Sequence, residues 1–197
     1  MLLLLASCTS PSPAPPPLKG TLGPGAAWSV TQGTNPRAIS GGSFVMASSG
    51  HDDYVEAGVS GALALGGSYS LTYTISGDNP AWIVPAPGAC TPVVPQLRLL
   101  LHQAGDNWSG AGAFETYRWY STTAVPLALG TRTVVVGLAL GNWTDVLGQQ
   151  TDAAGFAAAF GSIGSLGFVF GGGCFAGHGV AVSSGTATFS IGGATID

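Results

Sequence analysis

Three short stretches of the sequence combine aromatic and polar side chains in a way that could bind a carbohydrate. Sugar recognition uses flat aromatic rings against C–H surfaces and planar polar groups against pairs of hydroxyls. The stretches lie at 106–108, 118–119 and 142–145, and their candidate ligand contacts are Asp106, Trp108, Arg118, Trp119, Trp143 and Asp145. For each residue taken alone, a place in the core or in a buried ion pair is an equally good interpretation.

Polysaccharide cleavage is the catalytic alternative. Glycoside hydrolysis needs two carboxylates across a cleft, and the sequence leaves open which of its 9 acidic residues converge. A lyase on a jelly roll would use Tyr or His as a base and Arg or Gln against a uronate, and residues of these types are Arg98, His102, Gln103, Tyr117 and Arg118. No nucleophile-elbow motif indicates a serine hydrolase. We therefore rank catalysis below binding.

The low charge of the chain excludes several classes of partner. Only 7% of its residues are charged, against about 25% in ordinary soluble domains, and its net charge is −4. The 5 basic residues are scattered, so a nucleic-acid partner is not expected. No segment after the N-terminus reaches the roughly 18 apolar residues of a spanning helix.

Alternation of apolar and polar residues predicts a chain built mainly of β-strands. It is clearest in 68–76 and 186–191, and 131–140 is β-branched enough to predict a central strand. Other predicted strands are 43–48, 53–59, 96–103, 114–121 and 165–170. The last third of the chain contains one predicted helix, 152–163, with Asp152 as its N-cap and Phe156, Phe160 and Ile163 on one face.

Many strands with glycine-rich turns and a single short helix predict an all-β fold, an antiparallel β-sandwich. We assign this sandwich to one domain, 25–197, which has enough residues for a substantial core.

The N-terminus resembles a bacterial lipoprotein signal, because Leu5, Ala6, Ser7 and Cys8 match the lipobox pattern. The resemblance implies a truncated signal at 1–7, lipid on Cys8 and a proline-rich tether at 8–24 that favours extended polyproline conformation. The protein would then be lipid-anchored and extracytoplasmic, at the outer membrane or cell surface. The alternative is a short apolar N-terminus on an otherwise soluble chain.

With Cys8 used as the anchor, Cys90 and Cys174 remain as an even pair, and export would allow them to form a disulfide. Two unpaired buried thiols are the alternative. The disulfide would join the predicted long loop 77–95 to the glycine-rich loop that follows β-strand 165–170, and would place His178 near Trp82 as a second candidate binding site. A structural imidazole in a tight turn is the alternative for His178.

The domain also resembles the galactose-binding-like jelly rolls of carbohydrate-binding modules. The resemblance rests on an early strand at Trp28, a helix before 166–170 and a closing strand at 186–196. The stretch 170–179 is similar to uncharacterised secreted bacterial β-proteins. The resemblance implies a jelly roll that binds carbohydrate. The sequence lacks a clear acidic cluster for the structural calcium of such modules, so no cofactor or metal is predicted, and structural calcium stays an open alternative.

These features together predict a surface-anchored, non-catalytic module that binds a polysaccharide or other glycan or mediates adhesion. Its membrane contact would be the lipid anchor alone. A polysaccharide-degrading enzyme and a structural envelope protein are the alternatives.

Overall fold

Two antiparallel sheets pack face to face in the computed structural model, which describes residues 16–85, 93–172 and 175–197. In order across the smaller sheet, the strands are β1 (Gly20–Leu22), β13 (Ala181–Ile196), β6 (Ser68–Ile83) and β9 (Gly130–Gly137), and β4 (Ser43–Val45) also pairs with β13.

The larger sheet carries the candidate site described below. In order across it, the strands are β10 (Trp143–Thr144), β8 (Arg118–Pro126), β7 (Pro95–Gln103), β11 (Ile163–Gly172), β5 (Tyr54–Gly61), β2 (Trp28–Val30) and β3 (Arg37–Ala38), and β12 (Phe175–Ala176) also pairs with β11.

The core lies between the sheets and is built by the predicted alternation. Tyr69, Leu71, Tyr73 and Ile75 of β6 are buried, and the hydroxyl-bearing residues between them face outward. Their aromatic partners include a stack in which Phe189 lies 4.9 Å, between ring centroids, from both Tyr73 and Phe168.

The one α-helix among the described residues is α1 (Ala153–Gly161). Its predicted N-cap is confirmed, because the Asp152 side chain accepts a hydrogen bond of 2.8 Å from the Gly155 amide. Phe156 and Phe160 are buried as predicted. Ile163 instead begins β11, because the chain leaves the helix at Ser162. The predicted all-β antiparallel sandwich with one short helix is confirmed.

Three predicted elements differ from the structure. The first half of predicted strand 114–121 is a 3₁₀ turn, Gly112–Thr116, so the side-chain alternation begins only at Arg118. Strand β9 is at the edge of its sheet and not in the centre. β-branched residues suit either position, and here Thr131 and Thr133 hydrogen-bond to threonines of β6 on the exposed outer face.

The predicted loop 77–95 begins later than expected, because β6 continues to Ile83 in its pairing with β13. Register shifts in this pairing and a positive φ of 38° at Asn79 let the strand pass through residues that are typical of turns.

The smaller sheet also includes residues that the sequence analysis assigned to the tether. Strand β1 pairs with β13, and the Leu18 amide donates a hydrogen bond of 2.7 Å to the Ala62 carbonyl. The domain therefore begins before residue 25. Cys8, Cys90 and Cys174 lie outside the described residues, so the lipidation and the disulfide stay predictions. None of the helices in the described ranges has the length and apolar character needed to span a membrane.

Candidate functional site

The outer face of the larger sheet carries buried polar and aromatic side chains. Alternation sends Val55, Leu99 and Trp119 into the core, so their neighbours in the same strands face the other way. A second apolar cluster forms there, which consists of Tyr54, Leu100, Tyr120 and Val169 with Trp108, Val146 and Ala176 packed against it. The four residues of this cluster are buried, and the three packed against it are partly exposed.

A chain of charged groups runs across this face. His102 Nδ1 lies 2.6 Å from Glu56 Oε1, and His102 Nε2 lies 3.1 Å from Asp106 Oδ2. An imidazole protonated on both nitrogens can donate to both carboxylates at once. Arg118 Nε lies 2.9 Å from the same Asp106 oxygen, in an ion pair whose geometry is not that of a hydrogen bond. Glu56, His102, Asp106 and Arg118 are thus linked in this order by contacts of 3.1 Å or less.

Glu56 is held in its charged form. Burial alone would raise the pKa of this carboxyl, but the hydrogen bond and the charge of His102, with hydrogen bonds donated by Ser165 and Thr31, lower it below its ordinary value. Both hydroxyls lie 2.5 Å from Glu56 oxygens. The Glu56 carboxylate is thus already hydrogen-bonded to three side chains of the protein.

Trp108 is presented by the loop that Asp106 anchors. The Asp106 side chain is only 1% exposed, whereas Trp108 is partly exposed. The Trp108 ring lies 5.0 Å from the Arg118 guanidinium carbon in a cation–π contact, and it meets the rings of Tyr54 and His102 edge to face at 5.0 and 4.8 Å. Its backbone has a φ of +65°, which is unusual and costly for a bulky residue.

A groove opens beside this indole. One part has a volume of about 250 Å³, and its lining includes Tyr54, Trp108, Arg118, Tyr120 and His178. An adjoining part of about 170 Å³ has a lining that includes Arg98, Tyr120, Thr144 and Asp145. The two parts share Tyr120 and the side chains of 146–147, and together they fall within the range of small-ligand sites, about 300 to 1,000 Å³.

Asp53 directly precedes β5, beside Tyr54 of the groove lining. Burial raises the pKa of its carboxyl to about 7, although a hydrogen bond with the Gly179 backbone and the charge of Arg118 oppose the rise. Its Oδ1 is buried without a hydrogen-bond partner among the described residues. This carboxyl can therefore gain or lose a proton near neutral pH.

The structure brings together most of the side chains that the sequence proposed as ligand contacts. Trp108, Arg118, Asp145 and His178 line the groove, and Asp106 lies behind it in the ion-pair chain. Asp145 also shapes its own loop, because its Oδ1 accepts hydrogen bonds of 2.9 Å from the amides of residues 147 and 149.

Three predicted contacts lie elsewhere. Trp119 and Trp143 are 0% exposed in the core, and their indole N–H groups donate to the carbonyls of residues 116 and 137. Neither ring can present a face to a ligand, which contradicts their assignment to the site. Trp82 lies in β6 of the smaller sheet and packs partly against the core, so it does not line the groove. Its proximity to His178 was predicted from the disulfide, which lies outside the described residues, and it stays a prediction.

The sequence did not assign several residues of the site. Asp53, Tyr54 and Glu56 lie in predicted strand 53–59. Tyr120 lies in predicted strand 114–121, and none of the four was predicted as a ligand contact. A signal for Glu56 was present, because a carboxylate within the otherwise uncharged run 54–61 indicates either a buried ion pair or an exposed face.

The described residues contain no group of three or more His, Cys, Asp and Glu side chains arranged to hold a metal ion. The groove instead offers aromatic rings, hydroxyls and guanidinium groups, which suit hydrogen bonding and ring contacts with an organic ligand. Comparison of the chain with protein-family models and with curated proteins finds no match.

Proposed function

We propose that this protein binds a glycan in the groove over its larger sheet. The observation that carries the proposal is the arrangement around Trp108, whose partly exposed indole stands beside Arg118, Tyr54 and Tyr120. An indole can cover the C–H surface of a sugar ring, while polar groups on the groove lining can bond its hydroxyls. The strained backbone at Trp108 supports a binding role, because it adds nothing to stability.

Binding without cleavage fits the state of the titratable groups. Burial raises the pKa of Tyr54 to about 12 and that of Tyr120 well above its ordinary value, so neither phenol suits the role of a base. Glu56 and Asp106 are engaged by His102 and Arg118. A pair of free carboxylates facing each other across the groove is thus missing among the described residues.

The proposal includes attachment to the bacterial cell envelope through lipid on Cys8. Its support is the resemblance of residues 5–8 to a lipobox. In this location the groove would meet polysaccharides of the cell's own envelope or of its surroundings.

A glycan array probed with the full chain tests the binding proposal. We expect binding to at least one class of plant, algal or bacterial polysaccharide, and a loss of that binding in Trp108→Ala. Trp82→Ala is the matched control, because Trp82 is also partly exposed but lies in the other sheet. Binding to none of these polysaccharides, or equal loss in both variants, would contradict the proposal and favour a structural role in the envelope.

One observation favours hydrolysis as a second candidate. A carboxyl with a pKa of about 7, such as that of Asp53, can act as a general acid at neutral pH. Hydrolysis predicts that reducing ends accumulate when the protein is incubated with a polysaccharide that it binds, and that Asp53→Asn abolishes their release. Binding without release of reducing ends would exclude this candidate.

A further inference from the structure

Arg98 is a partly buried cation on the groove side of the larger sheet. It lies in β7 between Val169 of β11 and Ala124 of β8. Its Nη1 donates hydrogen bonds to the carbonyls of Ser121 and Thr122, at 2.8 and 3.2 Å. Its Nε is buried and has no hydrogen-bond partner among the described residues. The protein therefore leaves the charge of this guanidinium incompletely compensated.

The other arginines that are partly or largely withdrawn from water each form an ion pair with a carboxylate. Arg37 lies 2.7 Å from Asp52, and Arg118 lies 2.9 Å from Asp106. Arg132 is exposed and is solvated directly. Arg98 has no ion pair within the described ranges, and burial lowers its pKa. Withdrawing a charge from water is costly unless an opposite charge and hydrogen bonds compensate.

The carboxylate nearest in the groove does not supply this compensation. Asp145 lines the same part of the groove as Arg98, but the two side chains form no ion pair. The Oδ1 of Asp145 is already engaged by the amides of its own loop. Tyr120 and Thr144, on the same lining, carry no charge at neutral pH.

We propose that Arg98 binds an oxyanion of the ligand, so that the glycan recognised in the groove is acidic, with a carboxylate as in a uronic acid or a sulfate ester. The inference rests on the proposed glycan binding and names the class of glycan. Where the guanidinium lines the groove, it can donate charge-assisted hydrogen bonds to such a group. Tyr120 and Asp145 then face the neutral hydroxyls of the same sugar.

Calorimetric titration of the full chain tests the inference with three oligosaccharides of matched length, which are an oligogalacturonate, a sulfated galactan and a neutral galactan. We expect the wild type to prefer one of the acidic ligands, and that ligand identifies the oxyanion. Arg98→Met should weaken its binding by about tenfold or more, and added salt should weaken the wild type more than the variant. Arg98→Lys, which keeps the charge, should lose less than Arg98→Met.

Arg132→Met is the matched control, because Arg132 is exposed on β9 of the other sheet, and it should leave all affinities unchanged. Preference for the neutral galactan, or acidic binding that survives Arg98→Met, would overturn the inference. Either result would leave the proposed glycan binding in place, provided that Trp108→Ala abolishes it. A failure of the wild type to bind any of the three ligands or any glycan on an array would overturn both proposals.

Discussion

The hydroxyl of Tyr54 lies 2.6 Å from the hydroxyl of Tyr120, although two strands separate their own strands in the sheet. Adjacent strands are about 4.8 Å apart, so the two backbones are about 14 Å apart. The rings reach each other by leaning across Val169 and Leu100, which lie between them in the same apolar cluster. This bridge ties the side of the groove formed by β5 to the side formed by β8.

The bridge predicts an energetic coupling between the two tyrosines. Removal of one hydroxyl by Tyr54→Phe or Tyr120→Phe leaves the other buried with one partner fewer, at a cost of about 1 to 3 kcal/mol in the free energy of unfolding. The double variant should cost less than the sum of the single variants, by about 1 kcal/mol. Urea unfolding of all four proteins measures this difference, and strictly additive losses would show that the hydroxyls do not interact.

Stability should fall at acid pH through Glu56. The pKa of this carboxyl is lowered in the folded protein from its ordinary 4.5, so its contribution is fully present above about pH 4.5 and is lost as the pH falls through the lower, folded value. Glu56→Gln should reduce this loss of stability at acid pH. It should also destabilise the protein at neutral pH by about 1 to 3 kcal/mol, because His102, Ser165 and Thr31 lose a charged hydrogen-bond acceptor.

Urea unfolding between pH 3 and pH 7 compares Glu56→Gln with the wild type. Ser165→Ala is the control, because it removes one hydrogen bond to Glu56 and leaves the carboxylate charge in place. If the loss of stability at acid pH is the same in Glu56→Gln as in the wild type, it arises from other carboxylates.

Asp53 should act on stability in the opposite direction. Burial raises its pKa from 3.8 to about 7, so the folded state holds this proton more tightly than the unfolded state. The resulting stabilisation is complete below about pH 3.8 and is lost as the pH rises to about 7. One pKa unit corresponds to about 1.4 kcal/mol, and the loss amounts to a few kcal/mol.

Asp53→Asn replaces the carboxyl with a neutral group of the same shape. We expect it to stabilise the protein at pH 8 and to have little effect near pH 3.5, as measured by chemical unfolding at both values. Equal effects of the substitution at the two pH values would contradict the raised pKa.

Trp108 and Trp119 should respond differently to truncation. Trp119 is fully buried, so Trp119→Ala should cost about 3 to 5 kcal/mol of unfolding free energy. Trp108 is partly exposed and sits on a strained backbone, so Trp108→Ala should cost much less while it removes glycan binding. Chemical unfolding and affinity measurements on both variants test this separation, and a large loss of stability in Trp108→Ala would assign that ring to the fold.

The fold could be predicted where local rules and tertiary contacts agree. Alternation in β6 predicts the buried face because one side of that strand meets the core and the other meets solvent. Asp152 predicts a helix start because its side chain satisfies a free amide within three residues. Strand 114–121 was mispredicted because residues 112–116 close a 3₁₀ turn before the strand begins, and aromatic β-propensity does not reveal such a turn.

The site could be predicted only in part, because residue type does not determine which face a strand buries. Trp108 and Trp143 each follow an asparagine in the sequence, but Trp143, like Trp119, lies at a strand position that faces the core. The partnership of Glu56 with His102 joins residues 46 positions apart across a third strand. A single sequence does not reveal this pairing, because it depends on the order of the strands in the sheet.

Strand β13 is joined to β1, β4 and β6, all of which precede it in the chain. Until residues 181–196 have been synthesised, β1 and β4 lack the strand against which they pair. The backbone hydrogen-bonding groups on one edge of β6 then also lack their partners. The smaller sheet therefore cannot close on a nascent chain that stops short of this strand. Folding of this sheet is therefore expected to finish only after its last strand has left the ribosome.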